Sequence, residues 1–164
     1  MEILEYLDSA GFEYQLFEHE SVTSVAVGKD IYTQNNIPGI QVKSLFLRNK
    51  NGKQHFLLIV PAEAEVDLRD ISEQAQAKKL GFASQERLWK YLQVKPGSVS
   101  PLSLVNDSDR HVIVLFDQQV LEADMVHLHP GDNTKSVALA MTDLKDLMKS
   151  MSYEILIVQT NLEG

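Results

Sequence analysis

Two short glycine-containing loops hold the residues of this chain that are best suited to chemistry. The first, Pro96–Pro101, has the sequence PGSVSP, and the second, His129–Asn133, has the sequence HPGDN. In the first loop, the prolines restrict the backbone and Gly97 lets another group approach it closely. The backbone N–H groups of residues 98–100 can then face an oxyanion or a carbonyl. This pattern predicts a site that holds an acyl group or a sugar; the alternative is a tight turn between a helix and a strand.

The second loop places an imidazole beside small polar residues. His129 precedes Pro130, which restricts His129 to extended backbone geometry and so fixes the direction of its ring. Asn133 adds an amide that can bind hydroxyl groups. The alternative for His129 is a histidine that only packs the loop.

Other kinds of catalytic site are less favoured. A serine of the first loop, His129 and Asp132 have the residue types of a nucleophilic triad, but the chain has no Gly-x-Ser-x-Gly elbow. His127 and His129 lie two apart on a predicted strand and share one face, yet a third well-spaced metal ligand is not evident. Phosphate-binding loops of the Gly-x-x-x-x-Gly-Lys and Gly-x-Gly-x-x-Gly types are absent as well. We therefore predict a site without a metal or a cofactor.

The composition indicates a soluble globular protein, with one domain over residues 1–164. The chain is 44% hydrophobic and 23% charged and has no cysteine, which excludes disulfides, thiolate metal sites and a thiol nucleophile. It contains no apolar run near the roughly 20 residues of a membrane-spanning helix, and no secretory signal is evident at its start. We therefore expect a cytoplasmic protein that does not bind a membrane.

The net charge of −8 argues against a protein that coats DNA or RNA by charge alone. A small RNA contact remains compatible with it, because the positive charges are grouped locally. Two solvated faces and a basic flank beside a site are the alternative interpretations. The groups consist of Lys43, Arg48, Lys50 and Lys53, and of Lys78, Lys79, Arg87, Lys90 and Lys95.

Hydrophobic periodicity and turn residues predict more strands than helices. The clearest element is a hairpin of Val42–Arg48 with Gln54–Val60, because Asn51-Gly52 supplies the positive φ angles of a tight reversal. We also predict a helix from Ile3 that ends at Gly11, helices at Val22–Val27, Asp70–Leu80, Ser84–Tyr91 and Thr142–Met151, and strands at Phe12–Phe17, His111–Phe116, Asp124–Leu128, Ser136–Ala140 and Glu154–Gln159.

These elements favour an α/β fold of the α+β type. Because most connections between strands are predicted to be hairpin-like, we expect one compact domain with a mixed, largely antiparallel sheet flanked by helices.

Three separated motifs, in this order, resemble the YbaK/ProX family of aminoacyl-tRNA deacylases. They are the segment from Val42 to Arg48, the segment Lys95–Leu102 with Asn106-Asp107 downstream, and His129-Pro130 with Asn133-Thr134. Members of this family are freestanding relatives of the insertion editing domain of bacterial prolyl-tRNA synthetase. The resemblance extends from about Phe17 to Val158 and implies the YbaK fold.

The resemblance implies hydrolysis of the ester between a wrong amino acid and the 3′-terminal adenosine of tRNA. The form of the first loop is similar to the ProX branch, which clears alanine from tRNA for proline. Cysteinyl-tRNA, another misacylated tRNA, and a non-catalytic binding regulator are the alternatives. The expected partners are aminoacyl-tRNA, through its 3′ end and acceptor stem, and prolyl-tRNA synthetase or an elongation factor.

The same resemblance assigns roles to residues. It places Lys43 beside the terminal nucleotide, Gly97 and Ser98 at the aminoacyl ester, and His129 at the amino-acid pocket. Many members have asparagine after the lysine, whereas this chain has Ser44, whose hydroxyl has a different reach and fewer donors than an amide. The remaining predicted substrate-binding residues are Val99, Ser100, Pro101, Pro130, Gly131 and Asn133.

Overall fold

A computed structural model describes residues 2–160 of the chain. Six α-helices, eight strands and one 3₁₀ helix follow each other in this part of the chain. The helices are α1 Ile3–Ser9, α2 Val25–Gln34, α3 Leu68–Ala75, α4 Gln85–Leu92, α5 Gln118–Leu121 and α6 Met141–Ser150, and the 3₁₀ helix is Pro101–Asn106. The strands are β1 Gln15–Glu18, β2 Val42–Arg48, β3 His55–Pro61, β4 Gly81–Phe82, β5 Ile113–Asp117, β6 Met125–Leu128, β7 Lys135–Ala140 and β8 Ile155–Val158.

The strands form two sheets. One has five strands in the order β4-β2-β3-β5-β8, and the other has three in the order β1-β7-β6. All pairs are antiparallel except β3 with β5 and β5 with β8, which are parallel. The predicted α+β class with mixed, largely antiparallel pairing is therefore confirmed. The mostly hairpin-like connections are not, because parallel neighbours need crossover segments.

The hydrophobic core lies on both faces of the central strand β3. Leu57 and Ile59 pack on one face of the sheet, with residues of the three-stranded sheet and of α4 and α6. Phe56, Leu58 and Val60 pack on the other face, toward α3. A strand that is buried on both faces is continuously apolar, and β3 has the sequence HFLLIVP.

A close approach of the two sheets brings the start of β2 to β6. Ile40 donates its backbone N–H to the carbonyl of Met125 at 2.9 Å. Gly39, at φ +105°, makes this approach possible, since a Cβ there would lie 2.8 Å from the Val126 backbone. Lys43 and Ser44 are thereby positioned near the loop that follows β6.

Several predicted boundaries are wrong, and each error has a local cause. The helix predicted at Asp70–Leu80 is α3, which ends early because Gln76 adopts a left-handed conformation at φ 54°. The helix predicted at Thr142–Met151 is α6, which begins one residue earlier and has Ala140 at its N-cap. The helix predicted at Val22–Val27 is α2, which starts after Ser24, whose side chain accepts the N–H of Val27.

The 3₁₀ helix that follows the first loop is held at its far end by Asp107. The buried carboxylate of Asp107 accepts the Tyr153 hydroxyl at 2.8 Å and the Val112 N–H at 2.8 Å. Burial, together with the bond to Asp107, raises the pKa of Tyr153, so that its hydroxyl stays a donor. In the described part of the chain, no helix has the length and apolarity required to cross a membrane.

Candidate functional site

The two loops singled out from the sequence meet at one cleft of about 210 Å³. The entry to α2 forms one wall of the cleft, and the start of β2 lies beside both loops. Its lining residues come from four separate parts of the chain: Val22, Thr23, Ser24, Val25 and Tyr32; Gln41, Val42, Lys43 and Ser44; Gly97 and Val99; and His129.

Direct bonds hold the two loops together. The Ser100 hydroxyl donates to the backbone carbonyl of His129 at 2.6 Å. Ser100 also begins the 3₁₀ helix, because its Oγ accepts the Leu102 N–H and its own N–H donates to Ser103 Oγ. Ser100 is 2% exposed, and its bonds hold the two loops together. Its neighbour Val99 lines the cleft.

Some backbone N–H groups of the first loop donate hydrogen bonds to nearby residues, and others have no acceptor in the described part of the chain. Ser98 donates its N–H to the Lys95 carbonyl at 3.1 Å, and Ser100 donates to Ser103 Oγ at 3.2 Å. The N–H groups of Gly97 and Val99 have no partner within residues 2–160, and both residues line the cleft. The expectation that the N–H groups of Ser98 and Ser100 face an oxyanion is therefore corrected, because both serve the turn. Gly97 and Val99 provide the free donors.

Lys43 lies at the edge of the cleft with a defined direction. Its Nζ donates to the carbonyl of Ala64 at 2.6 Å. An ammonium has three N–H donors, so this bond orients the group and leaves two donors for an anionic or ester oxygen. Ser44 follows Lys43 on β2 and lines the same cleft.

His129 is held as a neutral ring. Its Nδ1 lies 2.8 Å from the Lys135 carbonyl, so Nδ1 carries the proton and Nε2 is an acceptor, 3.4 Å from the Tyr32 hydroxyl. Burial lowers the pKa of His129, although the bond to Lys135 acts in the opposite direction. Asp132 instead accepts the hydroxyl and the N–H of Thr134. The residues of the triad alternative are thus not bonded in the required order.

The rest of the second loop supports the cleft from outside. Gly131 faces Ile3 of α1, with a Cβ built on it 3.4 Å from Ile3 Cδ1. The Asn133 amide donates to the Val22 carbonyl at 3.1 Å and accepts the Ser21 hydroxyl at 3.1 Å. Asn133 therefore holds the wall before α2, which differs from the substrate-binding role predicted for it. Pro101, Pro130 and Gly131 do not line the cleft either.

Sequence reasoning missed Tyr32 and the entry to α2. Tyr32 contacts His127, with ring centroids 4.2 Å apart, across 95 residues of sequence. No local pattern marks such a long-range contact. Within residues 2–160, no group of three or more histidine, cysteine or acidic residues is arranged to hold a metal ion.

Both sequence groups of basic residues meet at the tip of the β2–β3 hairpin. Arg87 donates to the Gly52 carbonyl at 2.9 Å, and the Lys50 N–H donates to the Lys78 carbonyl at 2.8 Å. Five residues of β2 separate this tip from Lys43, a span of roughly 16 Å along the strand. Trp89 on α4 is 58% exposed and is thus not a core residue.

Two buried histidines predict how stability responds to acid. Burial is the main cause that lowers the pKa values of His55 and His127 to about 4, below the 6.5 of a free histidine. The unfolded chain therefore binds protons that the fold does not bind, and stability falls as the pH drops from about 6.5 toward 4. We expect a loss of up to about 3 kcal/mol for each histidine over this range.

Thermal unfolding at pH 7.5, 6.5, 5.5 and 5.0 measures this effect. His127→Asn removes one of the two titrating groups, and its midpoint should fall less steeply with acid than that of the unchanged chain. A midpoint that is constant between pH 7.5 and 5.0 would contradict the lowered pKa values.

Comparison with known proteins was informative at the level of the family. A model of the aminoacyl-tRNA editing domain matches residues 25–147. The prolyl-tRNA editing protein ProX of Acetoanaerobium sticklandii is 34% identical to this chain, over 90% of this chain and 89% of that protein. Prolyl-tRNA synthetase associated domain-containing protein 1 of Danio rerio is 28% identical, over 86% and 75%.

A solved structure shows the same fold. It was provisionally identified as a trans-editing enzyme for prolyl tRNA synthetase, and it superposes with a TM-score of 0.72 at 18% identity. The superposition covers 99% of this chain and 96% of that one. The segment matched by the domain model contains Lys43, both loops and all the strands of the five-stranded sheet except β8.

Proposed function

Because this chain belongs to the aminoacyl-tRNA editing domain family and is an aminoacyl-tRNA deacylase, we propose that its main substrate is alanyl-tRNA for proline. This proposal is based on one observation: the same cleft is lined by Lys43, Gly97, Val99 and His129. A charged donor, two free N–H donors and a neutral imidazole suit an ester better than they suit a phosphate or a metal ion.

The inner end of the cleft supports a small amino acid. A second space of about 20 Å³ shares five lining residues with the cleft, including Ser44, Val99 and His129. A synthetase pocket that fits proline cannot strongly reject a smaller amino acid, so a second and smaller site is needed to remove the error. A small side chain at the edge of such a space leaves room in it for one further small group, whereas a pyrrolidine ring is too large for it.

We assign the steps of hydrolysis to groups in the cleft. A water molecule attacks the ester carbonyl, the bond to the 3′-oxygen breaks, and the 3′-oxygen takes up a proton. The N–H groups of Gly97 and Val99 stabilise the oxyanion that forms, and Lys43 binds an oxygen of the terminal nucleotide. His129 is a poor base here, because burial lowers its pKa and its Nε2 faces Tyr32. The 2′-hydroxyl of the tRNA is then the group that positions the water, and no metal is needed.

The tip of the β2–β3 hairpin is the surface that we assign to the acceptor stem. Lys50 and Lys53 are exposed there, beside Arg48 and Arg87, so a net acidic protein still offers a local contact for phosphates. We propose tRNA for proline as the partner, delivered free or from prolyl-tRNA synthetase or an elongation factor.

Removing Lys50 and Lys53 together should weaken tRNA binding mainly at low salt. The slope of log Kd against log salt concentration should decrease by about one for each lysine that contacts a phosphate. Filter binding or fluorescence anisotropy over a salt series measures this slope. Lys145→Ala with Lys149→Ala, on the exposed side of α6, is the matched control. An unchanged slope for the Lys50 and Lys53 double variant would place the acceptor stem on another surface.

A panel of charged tRNAs tests the proposed function. Transcripts of tRNA for proline charged with alanine, cysteine, serine or proline are incubated with the protein, and loss of the ester is followed with time. We expect rapid loss of alanine and no loss of proline. Loss of cysteine alone would assign the chain to the other branch of the family, and no loss from any substrate would support a binding regulator.

A further inference from the structure

Four rings form a cluster beneath the cleft. They belong to His19, which follows β1, to Tyr32 of α2, and to His127 and His129 at the end of β6. The Tyr32 ring centroid lies 4.2 Å from that of His127 and 6.0 Å from that of His19. His19 and His129 are 6.3 Å apart.

The backbone fixes the tautomer of all three histidines. Each Nδ1 faces a carbonyl oxygen, from Glu20 at 2.8 Å for His19, from Pro38 at 3.2 Å for His127, and from Lys135 at 2.8 Å for His129. A carbonyl only accepts, so each Nδ1 carries the proton, and the Nε2 of each neutral ring is an acceptor. The Nε2 atoms of the buried rings of His127 and His129 are therefore acceptors.

Within residues 2–160, a hydroxyl group lies within bonding distance of the Nε2 atoms of His19 and His129. Ser136 Oγ lies 2.8 Å from His19 Nε2, and the Tyr32 hydroxyl lies 3.4 Å from His129 Nε2. His127 Nε2 is left without a partner within residues 2–160, although His127 is only 5% exposed. A buried acceptor without a donor is unfavourable, so a water molecule or a substrate hydroxyl that donates to this position would stabilise it.

The space beside His127 has the size of one small donor. It measures about 20 Å³ and is lined by Tyr32, Ser44, Val99, Ser100, His127 and His129, among others. This volume is sufficient for one water molecule. Because five of its lining residues also line the cleft, a group that enters from the cleft can reach it.

We propose that this space is a subsite for one hydrogen-bond donor and that it lets the enzyme clear serine as well as alanine. With an alanyl ester, a water molecule donates to His127 Nε2. With a seryl ester, the side-chain hydroxyl replaces that water and donates to the same atom. The inference rests on the proposed function, since it needs the aminoacyl ester in the cleft, and it makes His127 a specificity-determining residue.

Replacement of the water molecule by the seryl hydroxyl explains why serine is not rejected. In both cases the side-chain carbon lies in the cleft and one oxygen, of the water or of the hydroxyl, lies in the space beside His127, so the acceptor is satisfied. A pocket that hydrogen-bonds a substrate hydroxyl discriminates strongly only when removing that hydroxyl leaves a polar group unpaired. Here water fills the position, so alanine and serine should both react, whereas the larger ring of proline should not enter.

Two variants of His127 separate this role from a structural one. His127→Asn keeps an amide N–H near the position of Nδ1, so it can still bond to the Pro38 carbonyl, but it has no acceptor at the position of Nε2. His127→Gln extends an amide to that position and should restore an acceptor. Single-turnover rates are measured on tRNA for proline charged with alanine and with serine, for both variants and the unchanged chain.

We expect His127→Asn to lower the rate with serine relative to the rate with alanine about tenfold, as expected for a hydrogen bond of about 1.4 kcal/mol. His127→Gln should retain most of the original ratio. The ratio does not depend on the fraction of folded protein, because both substrates meet the same enzyme preparation. An unchanged ratio in His127→Asn would overturn the inference.

The unchanged protein provides a second decisive result. Hydrolysis of alanine without hydrolysis of serine would overturn the inference and leave the proposed function standing. Hydrolysis of neither substrate would overturn both, because the ester would then not be bound in the cleft as proposed.

Discussion

Replacing Lys43 with alanine should lower kcat/KM for hydrolysis of alanyl-tRNA for proline about 100-fold, because a hydrogen bond to a charged group contributes up to about 3 kcal/mol. The Lys43 ammonium is fixed by one bond to the Ala64 carbonyl at 2.6 Å, and its other donors are free at the edge of the cleft. A fixed donor makes its contact without ordering a long side chain during binding. Its loss should therefore appear directly in the rate on the tRNA substrate.

The thermal unfolding midpoint should change little in the same variant. Lys43 is only partly buried, and its one side-chain hydrogen bond in the described residues is to the Ala64 carbonyl, so the fold depends little on it. Lys43→Met keeps the length of the side chain without the charge and should lose as much activity as Lys43→Ala. Lys145→Ala, an exposed lysine on α6, is the control for loss of one positive charge. Near-normal turnover by Lys43→Ala and Lys43→Met would remove Lys43 from the proposed mechanism.

Local sequence signals predicted the elements of this fold well where one short segment decides the structure. The β2–β3 hairpin was predicted from Asn51-Gly52 between two apolar runs, although of these two residues Gly52 has a positive φ and Asn51 does not. The helix predicted from Ser84 is α4, which Ser84 caps by accepting the Arg87 N–H. The parallel pairing of β3, β5 and β8 was not predicted. It depends on crossovers through α3, α4 and α6, and no short window of sequence specifies which strands become neighbours.

In the candidate site, too, some features could be predicted from local sequence and others could not. Glycine, proline and histidine in the two loops were visible in the sequence, because their types restrict the backbone and carry polar groups. Which N–H groups remain free was not visible, since the turn uses that of Ser98 through the Lys95 carbonyl, and Ser103 uses that of Ser100. Asn133 was predicted to bind substrate, but its amide is bonded to Val22, more than a hundred residues earlier.

The cluster around His127 depends entirely on tertiary structure. From the sequence, His127 was a weak candidate for a metal ligand, because it shares a strand face with His129. In the structure, the Pro38 carbonyl fixes its Nδ1, and burial lowers its pKa to about 4. The same two facts make it a neutral acceptor, which is why we connect it with a hydroxyl group of the substrate.

Replacing Gly97 with alanine keeps the backbone N–H but should lower the rate of deacylation by about 100-fold or more, because a shift of the loop displaces an oxyanion donor and losing one such donor usually has this effect. Gly97 has φ +90°, and an added Cβ would meet only Asn133 Nδ2, at 3.8 Å. Space is therefore available, and the cost lies in the backbone, at roughly 1–2 kcal/mol for a side chain in a left-handed conformation. If the loop relaxes to a negative φ, the N–H groups of Gly97 and Val99 turn away from the cleft.

Gly11→Ala is a matched control for this strain. Gly11 has φ +79°, a Cβ built on it has no neighbour within 4 Å, and it lies after α1, outside the cleft. Both variants should lose stability in thermal unfolding, because each side chain either stays in the left-handed region at a cost of roughly 1–2 kcal/mol or shifts its loop to avoid that cost. Only Gly97→Ala should lose single-turnover activity. If the first loop of Gly97→Ala has shifted, as shown by a loss of stability that differs from that of Gly11→Ala, and the variant still keeps full activity, the first loop cannot be the oxyanion donor, and the stabilising charge would have to come from Lys43 alone.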